Sequence, residues 1–300
     1  MERDKLETRL RQYGEVKTDV DLSTLSTMNV GGKAWFVLYP HDVIALQQAV
    51  CWFKELQIPY KLWGNGSNIL PSDKLYPGVI LRLNHTLNSV FYDENSVVAE
   101  AGVALIALAY ECSRKGLSCL EWAGGIPGTI GGALYMNAGS YKKAMSDCVA
   151  EVLVLDQDEM RWIGVNDCQF GYRESRFKHE PMIILAARLK TQQVDPEQLQ
   201  AIMQERQARR MNSQPLNYPS AGSCFRNPEG QNAWELIDRS GLRGKRIGGA
   251  MVSLKHSNFI VNVDRAQASD VYELMENVAS SVKESTGVDL CLEIEMFNWM

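Results

Sequence analysis

Several short segments of this chain bring together residue types that can do chemistry. Gly64-Asn65-Gly66-Ser67-Asn68 follows an apolar stretch. Glycines there let successive main-chain N–H groups converge on an anion, and Ser67 and Asn68 add side-chain donors. The segment has no Walker-type Lys-Ser/Thr ending and is not a GxGxxG opening a helix, so alone it reads equally as a tight structural turn. Gly124 to Gly139 holds six glycines in sixteen positions. With so few side chains, the main chain must approach something closely or bend where a Cβ would clash. Within it, Gly125-Ile126-Pro127-Gly128-Thr129-Ile130-Gly131-Gly132 forms a second glycine-rich turn. Two such turns suit a ligand with a pyrophosphate between two flat or polar ends, a dinucleotide; crowded turns in a β-rich core are the plainer alternative.

Three later segments add charged and polar groups. Gly171-Tyr172-Arg173-Glu174-Ser175-Arg176-Phe177 places two arginines three apart around a carboxylate; the planar, permanently charged guanidinium suits a substrate carboxylate or phosphate, and a solvated ion-pair cluster looks the same. Ala221-Gly222-Ser223-Cys224-Phe225-Arg226-Asn227-Pro228 packs a hydroxyl, a thiol, a cation and an amide into one turn. Ser223 could donate a proton and Cys224 could act as a nucleophile, but no histidine lies nearby in sequence to activate either. Glu293 and Glu295 fall on one face of a terminal strand, roughly 6 to 7 Å apart by strand rise, where paired carboxylates can serve as acid or base.

These segments need elements to hold them. Val43, Leu46, Val50 and Phe53 recur at helical spacing until Pro59 stops the pattern. Tyr60 to Trp63 reads as a strand before the first glycine turn, and Gly78 to Leu83 and Val97 to Ala101 are β-like. A helix over 103–115 closes at Gly116, and strands are expected at 149–155 and 182–190. Asp195-Pro196 caps and opens a helix with a polar face, and the domain boundary is placed there: 1–194 and 195–300. The last third offers a helix over Ala233 to Arg239, β-like stretches at Ile247 to Ser253 and Phe259 to Val263, and a helix from about Ser269 to Thr286 closed by Gly287. In VDLCLEIEM, the alternation turns Leu290, Leu292, Ile294 and Met296 to the core.

Composition sets limits. The 300 residues exceed what one core usually organises. A net charge of −5 excludes a nucleic-acid binder working on bulk positive potential. Seven scattered cysteines without a CxxC pair argue against a disulfide framework or structural zinc, and four dispersed histidines give no metal cluster. The polar opening MERDKLETRLRQYG and the lack of a long apolar run lead to the expectation of a cytoplasmic chain without membrane insertion.

In this order, Thr27-Met28-Asn29-Val30-Gly31-Gly32, GNGSN, AGGIPGTIGGALYMNAGSY, FGYRESRF, PSAGSCFRNP and LEIE resemble the UDP-N-acetylenolpyruvoylglucosamine reductase (MurB) family from about residue 20 onward. The resemblance implies an α+β chain: an FAD-binding domain of two α+β subdomains, of the vanillyl-alcohol-oxidase (PCMH) kind, and a C-terminal α+β domain for substrate. The spacing of Arg173 and Ser223 resembles the family's shorter type, without the inserted loop that carries a substrate-binding tyrosine. Met296-Phe297-Asn298-Trp299 stands where the family usually has Val-Arg and a glycine after its glutamate.

The resemblance implies hydride transfer from NADPH to non-covalent FAD, then to an enolpyruvyl ether of a UDP-sugar. It assigns Ser223 as proton donor and Arg173 and Glu295 to the substrate carboxylate. A hydroxyl within reach can protonate a strongly basic carbanion-like carbon, and a fixed cation stabilises the enolate that develops. FAD is expected along Gly64, Asn65, Gly66, Ser67 and Asn68 and along Gly125, Ile126, Pro127, Gly128, Thr129, Gly131, Gly132 and Asn137. Substrate is expected at Tyr172, Arg226, Asn227, His256 and Asn258. Of these, Asn227 rests on the motif, while Arg226, His256, Asn258 and the late arginines (209, 210, 239 to 246) are electrostatic candidates for the diphosphate. A flavin oxidase on the same cofactor fold and a silent nucleotide-binding module are the competing readings.

Overall fold

A computed structural model describes residues 3–299, and the chain divides into two compact units. The first comprises Met1–Thr18, Phe36–Asn65 and Gly78–Arg209; the second comprises Asp19–Trp35, Gly66–Pro77 and Arg210–Met300. The division at residue 194 followed chain order, whereas compactness gathers three separate stretches into each unit. Long-range main-chain pairing is the reason. The strand Ile69–Pro71 pairs in parallel with Glu295–Phe297, and Asn262 donates from Nδ2 to the Met28 carbonyl at 3.1 Å, so both early excursions belong with the chain's last third.

The first unit is built on two sheets. One has the order Gly14–Asp21, Lys33–Pro40, Tyr76–Leu81, Tyr60–Leu62. The helix Val43–Glu55, capped by Asp42, buries Leu46, Ala49, Val50 and Phe53. The other has five antiparallel strands in the order Glu159–Gly164, Val149–Asp156, Ile183–Lys190, Ser96–Glu100, Val90–Tyr92. The helices Leu105–Arg114 and Ile130–Tyr135 accompany it. Pro196–Ser213 forms the polar helix expected after Asp195.

The second unit wraps its core around the helix Ala268–Thr286, which buries Val271, Leu274, Met275, Val278 and Val282 and ends at left-handed Gly287. Each such aliphatic side chain contributes about 1.5–3 kcal/mol on full burial. Met28, Leu70, Cys224, Phe225, Ile237, Ile260 and Ile294 complete this core, with Leu290, Leu292 and Met296 packed against it. The alternation of the last segment is thus realised in burial, although regular strand is confined to Glu295–Phe297. The stretch expected as one strand from Ile247 is a hairpin instead: Arg246–Ile247 pairs with Ala250–Val252 around Gly248-Gly249, a two-residue loop that glycine favours.

Candidate functional site

In the first unit the two glycine-rich segments meet. A Cβ on Gly64 would lie 2.9 Å from Thr129 Oγ1, so glycine leaves room for the Thr129 side chain against the first turn. Thr129 Oγ1 accepts the Gly132 N–H (3.2 Å) and caps the helix Ile130–Tyr135. Arg82 Nη2 donates to the Gly64 carbonyl at 3.2 Å. Asn65 and the run from Gly125 to Gly128 keep access to solvent. Main chain held close together, bare of side chains and reachable from outside fits a dinucleotide such as FAD.

Arg173 sits at the tip of a tight turn in the same unit, where Gly171 and Glu174 exchange main-chain hydrogen bonds (3.0 and 3.2 Å). Its φ is +57°, a left-handed conformation costing a non-glycine residue about 1–2 kcal/mol. Such strain persists only where the surroundings impose it, and here they are specific. Asn137, itself left-handed at φ +40°, donates from Nδ2 to the Gly171 carbonyl (2.8 Å) and accepts the Ser146 N–H (3.0 Å). Lys178 Nζ donates to the Arg173 carbonyl (2.7 Å), and Ser175 Oγ donates to the Tyr135 carbonyl (2.6 Å). Arg173 Nη2 reaches the Gly139 carbonyl (3.1 Å), and its guanidinium lies 5.3 Å from the exposed Tyr172 ring. Lys178 and Ser175 carry out this support without having been singled out from sequence; they lie within five residues of Arg173, but nothing in their type marks the role.

The second unit assembles Ser223 and the terminal glutamates on neighbouring segments. Residues 223 to 226 run between two other stretches: Ser223 bridges Phe259 on one side, and Phe225 bridges Leu292 on the other. Cys224 donates its N–H to the Asn258 carbonyl (2.8 Å), and its own carbonyl accepts the Glu293 N–H (2.8 Å). Asn68 ties in the far end: its Nδ2 donates to the Glu293 carbonyl (3.0 Å), and its carbonyl accepts the Glu295 N–H (3.0 Å). Gly66, at φ +62°, turns the chain where a Cβ would strike the Leu25 carbonyl. Thr27 spans the two segments, its N–H on the Gly66 carbonyl (3.1 Å) and its Oγ1 on the Ser220 carbonyl (2.7 Å).

Other candidates have different employment. Complete burial pushes the Cys224 thiol up to about 12, so it packs as a neutral group. Asn227 Oδ1 accepts the Ala233 N–H (3.0 Å) at the start of the helix Ala233–Arg239. His256 packs edge-on against Phe259, ring centroids 4.8 Å apart, and burial holds its imidazole below the ordinary range. Arg243 Nε donates to Asp238 Oδ1 (3.0 Å), and Arg246 Nη2 to Asp264 Oδ2 (3.1 Å), so both arginines are ion-paired within their own unit. Among the described residues no group of histidine, cysteine and carboxylate side chains could hold a metal, and no helix is long and apolar enough to cross a membrane.

Residues 34–162 match the family described as "FAD binding domain", and residues 214–297 match "UDP-N-acetylenolpyruvoylglucosamine reductase, C-terminal domain". A UDP-N-acetylenolpyruvoylglucosamine reductase of Synechococcus sp. (strain JA-3-3Ab) is 42% identical over 267 residues, 88% of this chain and 86% of that protein. One from Bacillus velezensis is 38% identical over 292 residues, 97% of this chain and 96% of that protein. Among solved structures, the reductase (MurB) from Thermus caldophilus superposes with a TM-score of 0.79 at 36% identity, covering 94% of this chain and 98% of that one.

Proposed function

The chain belongs to the UDP-N-acetylenolpyruvoylglucosamine reductase family, and on that premise we propose how its own residues divide the labour. It is an FAD flavoprotein and an oxidoreductase of peptidoglycan precursor synthesis, reducing UDP-N-acetylglucosamine enolpyruvate to UDP-N-acetylmuramate with NADPH. Bound FAD supplies hydride transfer between NADPH and the enolpyruvyl double bond. The oxidase reading is set aside by the reductase names of the relatives.

In this reading Ser223 Oγ gives a proton to the carbon that becomes carbanion-like, and Arg173 faces the carboxylate on which negative charge develops. Glu295 acts with Arg173 on the same substrate carboxylate. The backbone around Gly64 to Asn68 and Gly125 to Gly132 holds the cofactor, residues 1–194 serving it and 195–300 the sugar nucleotide. Tyr172 and Arg226 contact substrate, in a cytoplasmic enzyme.

One observation carries the assignment: Cys224, next to Ser223, and Glu293, two residues before Glu295, share a main-chain hydrogen bond of 2.8 Å. Backbones bonded in this way run about 4.8 Å apart, so Ser223 and Glu295 lie on neighbouring stretches of the same unit. The test separates the two half-reactions. Ser223→Ala should leave flavin reduction by NADPH intact and slow anaerobic reoxidation by substrate by roughly 10²–10⁴-fold. An unchanged reoxidation rate would remove Ser223 from the chemistry.

A further inference from the structure

We propose that Asn258 is a positioning residue that acts through Ser223, and that it makes no contact with substrate. The inference rests on the reading of Ser223 as the proton donor. Asn258 is buried, at 4% exposure, on the segment beside residues 223 to 225. Its side-chain amide is used at both ends on one main-chain unit: Phe225 N–H donates to Oδ1 (3.0 Å), and Nδ2 donates to the Phe225 carbonyl (2.8 Å). Its own carbonyl accepts the Cys224 N–H (2.8 Å). A single asparagine therefore does for this segment what a paired strand does elsewhere, meeting its donor and acceptor in a fixed plane.

The consequence falls on Ser223. Gly222 before it is left-handed, at φ +80°, with nothing within 4 Å of where a Cβ would stand, so no side-chain packing confines that glycine. Cys224 after it is fixed through both main-chain groups, to Asn258 and to Glu293. The half-buried Ser223 is itself bridged to Phe259, and on its C-terminal side Asn258 supplies three hydrogen bonds. A proton donor misplaced by an ångström loses rate steeply, whereas a substrate contact removed from a binding surface loses affinity first.

The experiment is a double-mutant cycle on the holoenzyme, read by stopped-flow flavin absorbance with UDP-N-acetylglucosamine enolpyruvate as the probe. Asn258→Ala should slow saturated anaerobic reoxidation roughly ten- to a hundredfold, leave reduction by NADPH unchanged, and leave the substrate dissociation constant within about threefold. In a Ser223→Ala background the same change should slow reoxidation no further. Equal slowing in both backgrounds, or weaker binding without a slower saturated rate, overturns the proposal. If Ser223→Ala alone leaves reoxidation unchanged, the donor reading itself has failed, a result distinct from either. Asn258→Asp covers the case in which the alanine variant does not fold. Protonated, the aspartic acid restores a donor and an acceptor toward Phe225; ionised, it presents oxygen to the Phe225 carbonyl. Its reoxidation rate relative to the unsubstituted enzyme should rise as pH falls, and a ratio independent of pH overturns the proposal.

Discussion

Replacing Gly66 by alanine isolates what the first glycine turn contributes. A side chain at φ +62° costs about 1–2 kcal/mol by conformation alone. The new Cβ would also overlap the Leu25 carbonyl and lie 2.9 Å from Ser26 Cα. The turn cannot back away freely, because the Gly66 carbonyl accepts the Thr27 N–H (3.1 Å) and Thr27 Oγ1 is fixed to Ser220 (2.7 Å). Breaking that main-chain bond adds about 1 kcal/mol. The sum, about 2–3 kcal/mol, corresponds to a loss of about thirty- to a hundred-and-fiftyfold in FAD affinity, measured by fluorescence titration of deflavinated protein. Gly222→Ala is the control. It has a similar left-handed φ, +80°, but open space around its Cβ; it carries the conformational cost alone and lies outside the proposed FAD segments. Gly66→Ala that binds FAD within about threefold of the unsubstituted protein would refute the reasoning.

Two further outcomes concern the ionisable groups. Burial, and next the Arg243 guanidinium, hold the His256 imidazole below its ordinary 6.5; the unfolded chain then takes up a proton that the folded chain refuses. Stability from this source is whole above pH 6.5 and is lost as pH falls toward the folded value, at no more than about 1.4 kcal/mol per pH unit. His256→Gln should flatten that part of the urea-denaturation profile, and parallel profiles would contradict the assignment. Burial also pushes the Cys224 and Cys148 thiols up to about 12 and Cys168 up to about 11, while Cys291 is exposed. Maleimide labelling at pH 8, followed by peptide mass spectrometry, should mark Cys291 well before these three; rapid labelling of Cys224 in the folded protein would show its enclosure to be wrong.

Periodicity exposed the longer helices because their signals are local. Val271, Leu274, Val278 and Val282 with Gly287 define a helix and its end without reference to anything distant. The strands Gly14–Asp21 and Lys33–Pro40 were not foreseen: the first is mostly polar, and the second is a continuous buried run whose period does not separate strand from helix. The chemistry-bearing segments were recognisable as motifs, but their employment was not. Asn137, Asn227 and Asn258 read from sequence as ligand contacts, and each amide is engaged on main chain. Residue type tells that an asparagine will find hydrogen bonds; only the folded backbone decides with whom. The left-handed turns at Asn137 and Arg173 escaped for a related reason, since non-glycine residues adopt that conformation when their neighbours impose it.

The pairing of Ile69–Pro71 with Glu295–Phe297 also sets a clock. Ser72 Oγ donates to the Asn298 carbonyl across 226 residues of chain, and a ribosome adding roughly 5–20 residues per second needs roughly ten to fifty seconds to make them. Throughout that interval the short strand waits without the partner that completes its ladder. The second unit is therefore finished only after Glu295–Phe297 has been made, and a nascent chain stalled before Glu295 holds its earlier segments without the strand meant to close them.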